Sequence, residues 1–109
     1  MTSEMFIEII GWKKQTFGHT TPLAEISHLR EEVEELTRDI VQENLNRRLE
    51  FADCFLLLFG AAAADGMSYE DICACISEKM EINRNRVWGK PDDRGVVKHV
   101  EQEKEHIET

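Results

Sequence analysis

Ile26-Ser-His-Leu-Arg-Glu-Glu-Val-Glu-Glu-Leu-Thr-Arg-Asp-Ile40 is the stretch that decides the fold. Its apolar residues, Ile26, Leu29, Val33, Leu36 and Ile40, fall at spacings of 3, 4, 3 and 4, the seam of an amphipathic helix. A half-buried strand would instead alternate with a period of two. Thr21-Pro22 stands just upstream and supplies an N-cap and a first-turn residue, so the helix opens there. Beside the seam runs a polar stripe of Glu25, His28, Glu32, Glu35 and Asp39. Glu32 and Glu35 therefore border the core rather than pointing fully away from it.

Working outward, Ser3 can cap a first helix with Phe6, Ile9, Ile10 and Phe17 on its apolar face and Gly18 as its stop. A third helix is expected from about Leu45 through Ala64, ending at Asp65-Gly66. From Phe51 onward it is apolar nearly all round, the mark of a central helix. Ser68-Tyr-Glu-Asp71 reads as a capping box for a fourth helix running to about Trp88, before Gly89 and Pro91. Residues from about 96 to 109 form a charged tail, with a short strand or turn and then a frayed helix. No repeat, linker or internal boundary is visible. The 109 residues read as a single all-α domain, a four-helix bundle. A chain this short buries only about 60–70% of its unfolded surface, so a second subunit would help complete the core.

The net charge of −9 argues against a nucleic acid polymer or an anionic membrane surface as partner, since both require a basic face. Cys54, Cys73 and Cys75 are an odd number in helical, apolar contexts, which suits reduced, buried thiols in the cytoplasm. No signal peptide is visible. The longest apolar run, Cys54 to Ala64, is 11 residues and too short to span a bilayer.

Two acidic pairs point to chemistry. Glu32 and Glu35 form E-x-x-E; after fourteen intervening residues Glu50 and Asp53 form E-x-x-D. Residues three apart on a helix share a side, so each pair presents two carboxylates in one direction. Facing one another, the pairs would concentrate four negative charges, and hard divalent cations with oxygen ligands, Mg²⁺ or Mn²⁺, are the natural occupants. Glu31/Glu34 has the same spacing, but those residues lie farther from the seam. Against this stands an ordinary solvated acidic face, with Arg47 and Arg48 available to pair with Glu50. Glu50 and Asp53 speak for a site, because they lead directly into the most apolar helix.

Lys79, Asn83 and Arg86 share one face of the fourth helix, with Trp88 just beyond, and would suit the oxygens of a polyphosphate. The alternative is a surface stripe paired with Glu78 and Glu81. Trp12 and Phe17 could stack on a base or fill core. His28 and His99 are equally open.

At this point the residues resemble a known family. Leu29-Arg-Glu-Glu-Val-Glu-Glu-Leu36 and Glu50-Phe-Ala-Asp53, followed by an apolar run, are similar to the all-α nucleoside triphosphate pyrophosphohydrolases of the MazG type. Trp12 to Gly18, His28-Leu29, Glu78 to Trp88, and Pro91-Asp-Asp-Arg-Gly95 with His99 look like its dATP/dGTP diphosphohydrolase branch, common in phages and bacteria. The resemblance covers about residues 10 to 100. It implies hydrolysis of a (deoxy)nucleoside triphosphate, with purine deoxynucleotides favoured, to the monophosphate and pyrophosphate. By position, Glu32, Glu35, Glu50 and Asp53 would hold two or more Mg²⁺ ions, which neutralise the triphosphate and lower the pKa of a bound water. Glu31 would help orient that water. Lys79, Asn83 and Arg86 would hold the phosphates, Lys79 and Arg86 offsetting charge on the leaving pyrophosphate. The resemblance also implies a homodimer or homotetramer, acting in the host cytoplasm if phage-encoded.

Two rivals accompany this reading. Glu25/His28 and Glu103/His106 have the Glu-x-x-His spacing of a di-iron carboxylate bundle. The other rival is a non-catalytic helical interaction module whose acids are merely solvated.

Overall fold

Four helices run through the described residues: α1 (Ser3–Phe17), α2 (Pro22–Val41), α3 (Arg47–Ala64) and α4 (Tyr69–Arg84). The computed structural model describes residues 1–101, so the tail helix and the Glu103/His106 pair lie outside the described residues. The fold is all-α, as the periodicity requires. The chain divides within α4 into two compact units, Met1–Cys73 and the part beginning at Ala74.

In the first unit α2 packs along α3, and α1 also packs on α3. Thr21 caps α2, its hydroxyl accepting from the Ala24 N–H at 3.1 Å, and Pro22 follows at the first turn. The cap of α1 is Thr2 rather than Ser3: the Thr2 hydroxyl accepts from the Met5 N–H at 3.1 Å, and Ser3 already has helical geometry. Gly18, at φ 78°, stops that helix in a conformation that L side chains rarely adopt. α3 begins at Arg47, two residues later than the pattern suggests. Asn44 accepts the Asn46 N–H on its own side chain at 3.0 Å, a local turn that competes with helix initiation. The Ser68/Asp71 capping box forms reciprocally, with the Ser68 N–H donating to Asp71 at 2.9 Å and the Asp71 N–H to Ser68 at 3.1 Å.

The core is thin. Among the described residues Phe6, Leu36, Leu57 and Ala61 are its buried apolar members, and Phe6 meets the Phe59 ring at 6.0 Å and the Tyr69 ring at 5.9 Å. Fully burying a side chain such as Leu36 or Leu57 stabilises by roughly 1.5–3 kcal/mol. α2 is rolled relative to its apolar seam. The line facing the rest of the unit is Glu25, Leu29, Glu32, Leu36 and Asp39, all buried or half-buried, whereas Val33 and Ile40 stand 46% and 45% exposed. Three acids thus share the inward line with two leucines. α3, expected to be covered on all sides, leaves Phe51, Phe55 and Leu58 exposed. Of the expected buried thiols only Cys54 is half-buried; Cys73 and Cys75 are exposed, and all three are free.

In the second unit α4 stops at Arg84, short of Trp88. The Asn85 side chain donates to the Glu81 carbonyl at 2.9 Å, closing the last turn. The chain then reverses: Trp88 and His99 form an antiparallel bridge, and their rings meet edge to face at 6.1 Å. Asp92 steadies the reversal by accepting from the Arg94 and Val96 N–H groups, both at 2.9 Å.

Candidate active site

Glu32, Glu35 and Glu50 converge. One carboxylate oxygen from each lies within 4.8 Å of the others, joining the middle of α2 to the start of α3. The convergence follows from local structure. A short link returns the chain from α2 to α3, which packs along α2 and brings Glu50 beside Glu32 and Glu35. Asp53, one turn beyond Glu50, stands outside that tight set of three, but its charge is felt within it. Partial burial, then the charges of Glu35, Asp53, Glu32 and Asp39, push the Glu50 carboxyl above its ordinary value. Burial, then Glu32, Asp53 and Glu50, likewise push the Cys54 thiol up. Uncompensated negative charge of this kind is what a divalent cation relieves, and a set made only of carboxylate oxygens suits a hard ion. The residues fit such an ion.

His28 lies at the edge of the cluster, its Nε2 3.4 Å from Glu32 Oε1. Glu31 is exposed on α2 beside Glu32. The Glu25/His28 pair does not present itself as a metal half-site, since Glu25 is ion-paired with Lys13 at 3.4 Å while His28 faces Glu32. Trp12 and Phe17 are exposed and meet edge to face at 5.4 Å. They line different cavities: Phe17 one of about 260 Å³ with Lys13, Glu25 and Gly60, and Trp12 one of about 380 Å³ with Met5, Ile9 and Leu56.

On the second unit, Lys79 is exposed and Asn83 and Arg86 are half-buried. The Asn83 carbonyl accepts from the Trp88 indole at 2.9 Å, and its side-chain Oδ1 is buried without a hydrogen-bond partner among the described residues. Lys13 and Gly60 escaped the sequence reading. The available signal was a glycine inside the otherwise continuous apolar run Phe55 to Ala64.

The dATP/dGTP pyrophosphohydrolase family matches residues 6–106. A dATP/dGTP diphosphohydrolase of Salmonella phage PMBT28 is 36% identical over 93 residues, 84% of this chain, and the chain spans only 29% of that relative's length. A dATP/dGTP diphosphohydrolase of Cyanophage S-2L is 31% identical over 98 residues, covering 90% of this chain and 87% of the relative. Among solved structures, a Cyanophage S-2L MazG-like pyrophosphohydrolase bound to dGDP and three catalytic Mn²⁺ ions per active site superposes with a TM-score of 0.78. It is 30% identical over 94% of this chain and 97% of its own. These matches bear out the resemblance read from the acidic pairs, and the chain belongs to the dATP/dGTP pyrophosphohydrolase family.

Proposed function

We propose that this protein hydrolyses a purine deoxynucleoside triphosphate, dGTP or dATP, to the monophosphate and pyrophosphate. The observation that carries the reading is the meeting of Glu32, Glu35 and Glu50 oxygens within 4.8 Å, on a chain of this family. Glu32, Glu35, Glu50 and Asp53 would hold two or more Mg²⁺ or Mn²⁺ ions. When bound, such ions neutralise phosphate charge and acidify a water. Glu31, one residue from the cluster, orients the attacking water through its exposed carboxylate. Lys79 and Arg86 supply cationic donors to the phosphate oxygens, and the Asn83 amide adds a neutral one. Phe17 and Trp12 offer aromatic faces for the base.

The outward residues Val33, Ile40, Phe51 and Phe55 support assembly of a homodimer or homotetramer, because a solvated monomer rarely exposes that much apolar surface on two helices. No single helix among the described residues is long and apolar enough to cross a membrane. A cytoplasmic site of action fits the location of the triphosphate pool.

The test is a panel of nucleoside triphosphates with Mg²⁺ or Mn²⁺, scored for monophosphate and pyrophosphate release, beside light scattering for mass. Release of phosphate instead of pyrophosphate, or turnover undiminished by chelator, refutes the proposal. A monomeric mass at working concentration refutes the assembly.

A further inference from the structure

The cavity of about 260 Å³ in the first unit has a charged floor that the metal reading leaves without a task. Lys13 Nζ lies 3.4 Å from Glu25 Oε1, with the two side chains 14% and 9% exposed. A buried ion pair is weak support for a fold, and well-packed apolar residues of similar volume would serve stability as well or better. Gly60 is the second sign that room is kept here. A Cβ at that position would lie 2.7 Å from Lys13 Cε and 2.8 Å from Glu25 Oε1, so any other residue displaces the pair. A glycine is held in mid-helix despite its poor helix propensity.

The position of the pair is also informative. Glu25 precedes Glu32 by seven residues on α2, and Gly60 follows Asp53 by seven on α3. Along both helices the cavity floor is therefore two turns, about 10 Å, from the carboxylate cluster. That separation matches the reach of a nucleotide from its phosphates to its base.

We propose that Lys13 and Glu25 read the Watson–Crick edge of the purine in this cavity, with Phe17 at its wall. The proposal rests on the nucleotide reading of the cluster. An ammonium carries three donors, so one paired with Glu25 at 3.4 Å still has N–H groups to offer a ligand, and the carboxylate still has lone pairs to accept with. Guanine presents the acceptor O6 beside the donor N1–H; adenine presents the donor N6–H₂ beside the acceptor N1. One cation next to one anion serves both. Lys13 donates to O6 while Glu25 accepts from N1–H of guanine, and for adenine Lys13 donates to N1 while Glu25 accepts from N6–H₂. A pyrimidine held by its phosphates at the cluster falls short of the floor.

The experiment compares the parent with the double variant Lys13→Met/Glu25→Leu, an apolar pair of similar volume chosen to keep the fold. Steady-state kcat/KM is measured with Mn²⁺ for dGTP, dATP and the triphosphate of unsubstituted purine deoxyriboside, and Mn²⁺ binding is followed by electron paramagnetic resonance. The expected result is an unchanged Mn²⁺ isotherm with a preference for dGTP and dATP over unsubstituted purine reduced about tenfold to a hundredfold, the scale of one paired base contact. An unchanged preference overturns the assignment while leaving the metal and phosphate reading standing. A parent inert toward every triphosphate overturns both. A readout on the parent alone does not depend on the variant folding: dGMP is expected to slow acetylation of Lys13, and inorganic pyrophosphate is not. Equal acetylation with and without dGMP overturns the assignment.

Discussion

Gly60→Ala separates stability from recognition at one position. Replacing a mid-helix glycine with alanine is worth about 0.5–1 kcal/mol in backbone entropy and propensity. Set against this is the close approach of the new methyl to Lys13 Cε at 2.7 Å and Glu25 Oε1 at 2.8 Å. Ordinary carbon contact is about 3.5 Å, so the Lys13 end must retreat by about 0.8 Å. Both colliding atoms are the far ends of flexible side chains, and the cavity of about 260 Å³ beside them can receive the displacement. The clash is therefore relieved by moving the ion pair rather than the helices. Stability should stay within about 1 kcal/mol of the parent, well short of the upper range of about 1–3 kcal/mol for an overpacked core with nowhere to yield. The pair, however, now occupies the space assigned to the base. Urea unfolding in chelator measures the first quantity and kcat/KM for dGTP the second. A stability loss above about 2 kcal/mol would mean that the pair is rigidly held. Unchanged stability with parental kcat/KM would mean that no ligand enters the cavity.

Three other outcomes are expected. Asp53→Asn should lower turnover on the order of a hundredfold, the scale of deleting one charge-stabilising group, while far-ultraviolet circular dichroism stays parental; full activity would remove Asp53 from the site. The raised Glu50 pKa has a defined sign: the folded state holds its proton more tightly than the unfolded chain, so its contribution to stability is present below the ordinary value of 4.5 and lost as pH rises through the folded value. Melting of the protein in chelator should accordingly show this loss above that value, and saturating Mg²⁺ should offset it at neutral pH but not in acid; a metal effect equal at both pH values would contradict the cluster. Ser68→Ala, which removes the acceptor of the Asp71 N–H at 3.1 Å, should cost about 1 kcal/mol in urea unfolding with little effect on Mn²⁺ binding.

The acidic part of the candidate site was legible because helical spacing is a local property. E-x-x-E followed by E-x-x-D puts carboxylates on common sides whatever surrounds them, and Glu32, Glu35 and Glu50 do converge. The helix starts at Pro22 and Tyr69 were legible for the same reason, since each cap is a bond between near neighbours in the chain. Asn44 and Asn85 were not, because a side chain that captures backbone groups competes with the helix in a way that periodicity ignores.

Sequence alone thus determined the all-α class, the helices and the acidic pairing, all of which depend on residues within a few positions of one another. Tertiary structure decided which stripe of α2 turns inward. Spacing relates residues to their own helix axis, but burial depends on what packs against it, and here Glu25, Glu32 and Asp39 are turned in while Val33 and Ile40 are left out. It also joined Lys13, Glu25 and Gly60 from three helices, a meeting set by the packing of those helices and not by any distance along the chain.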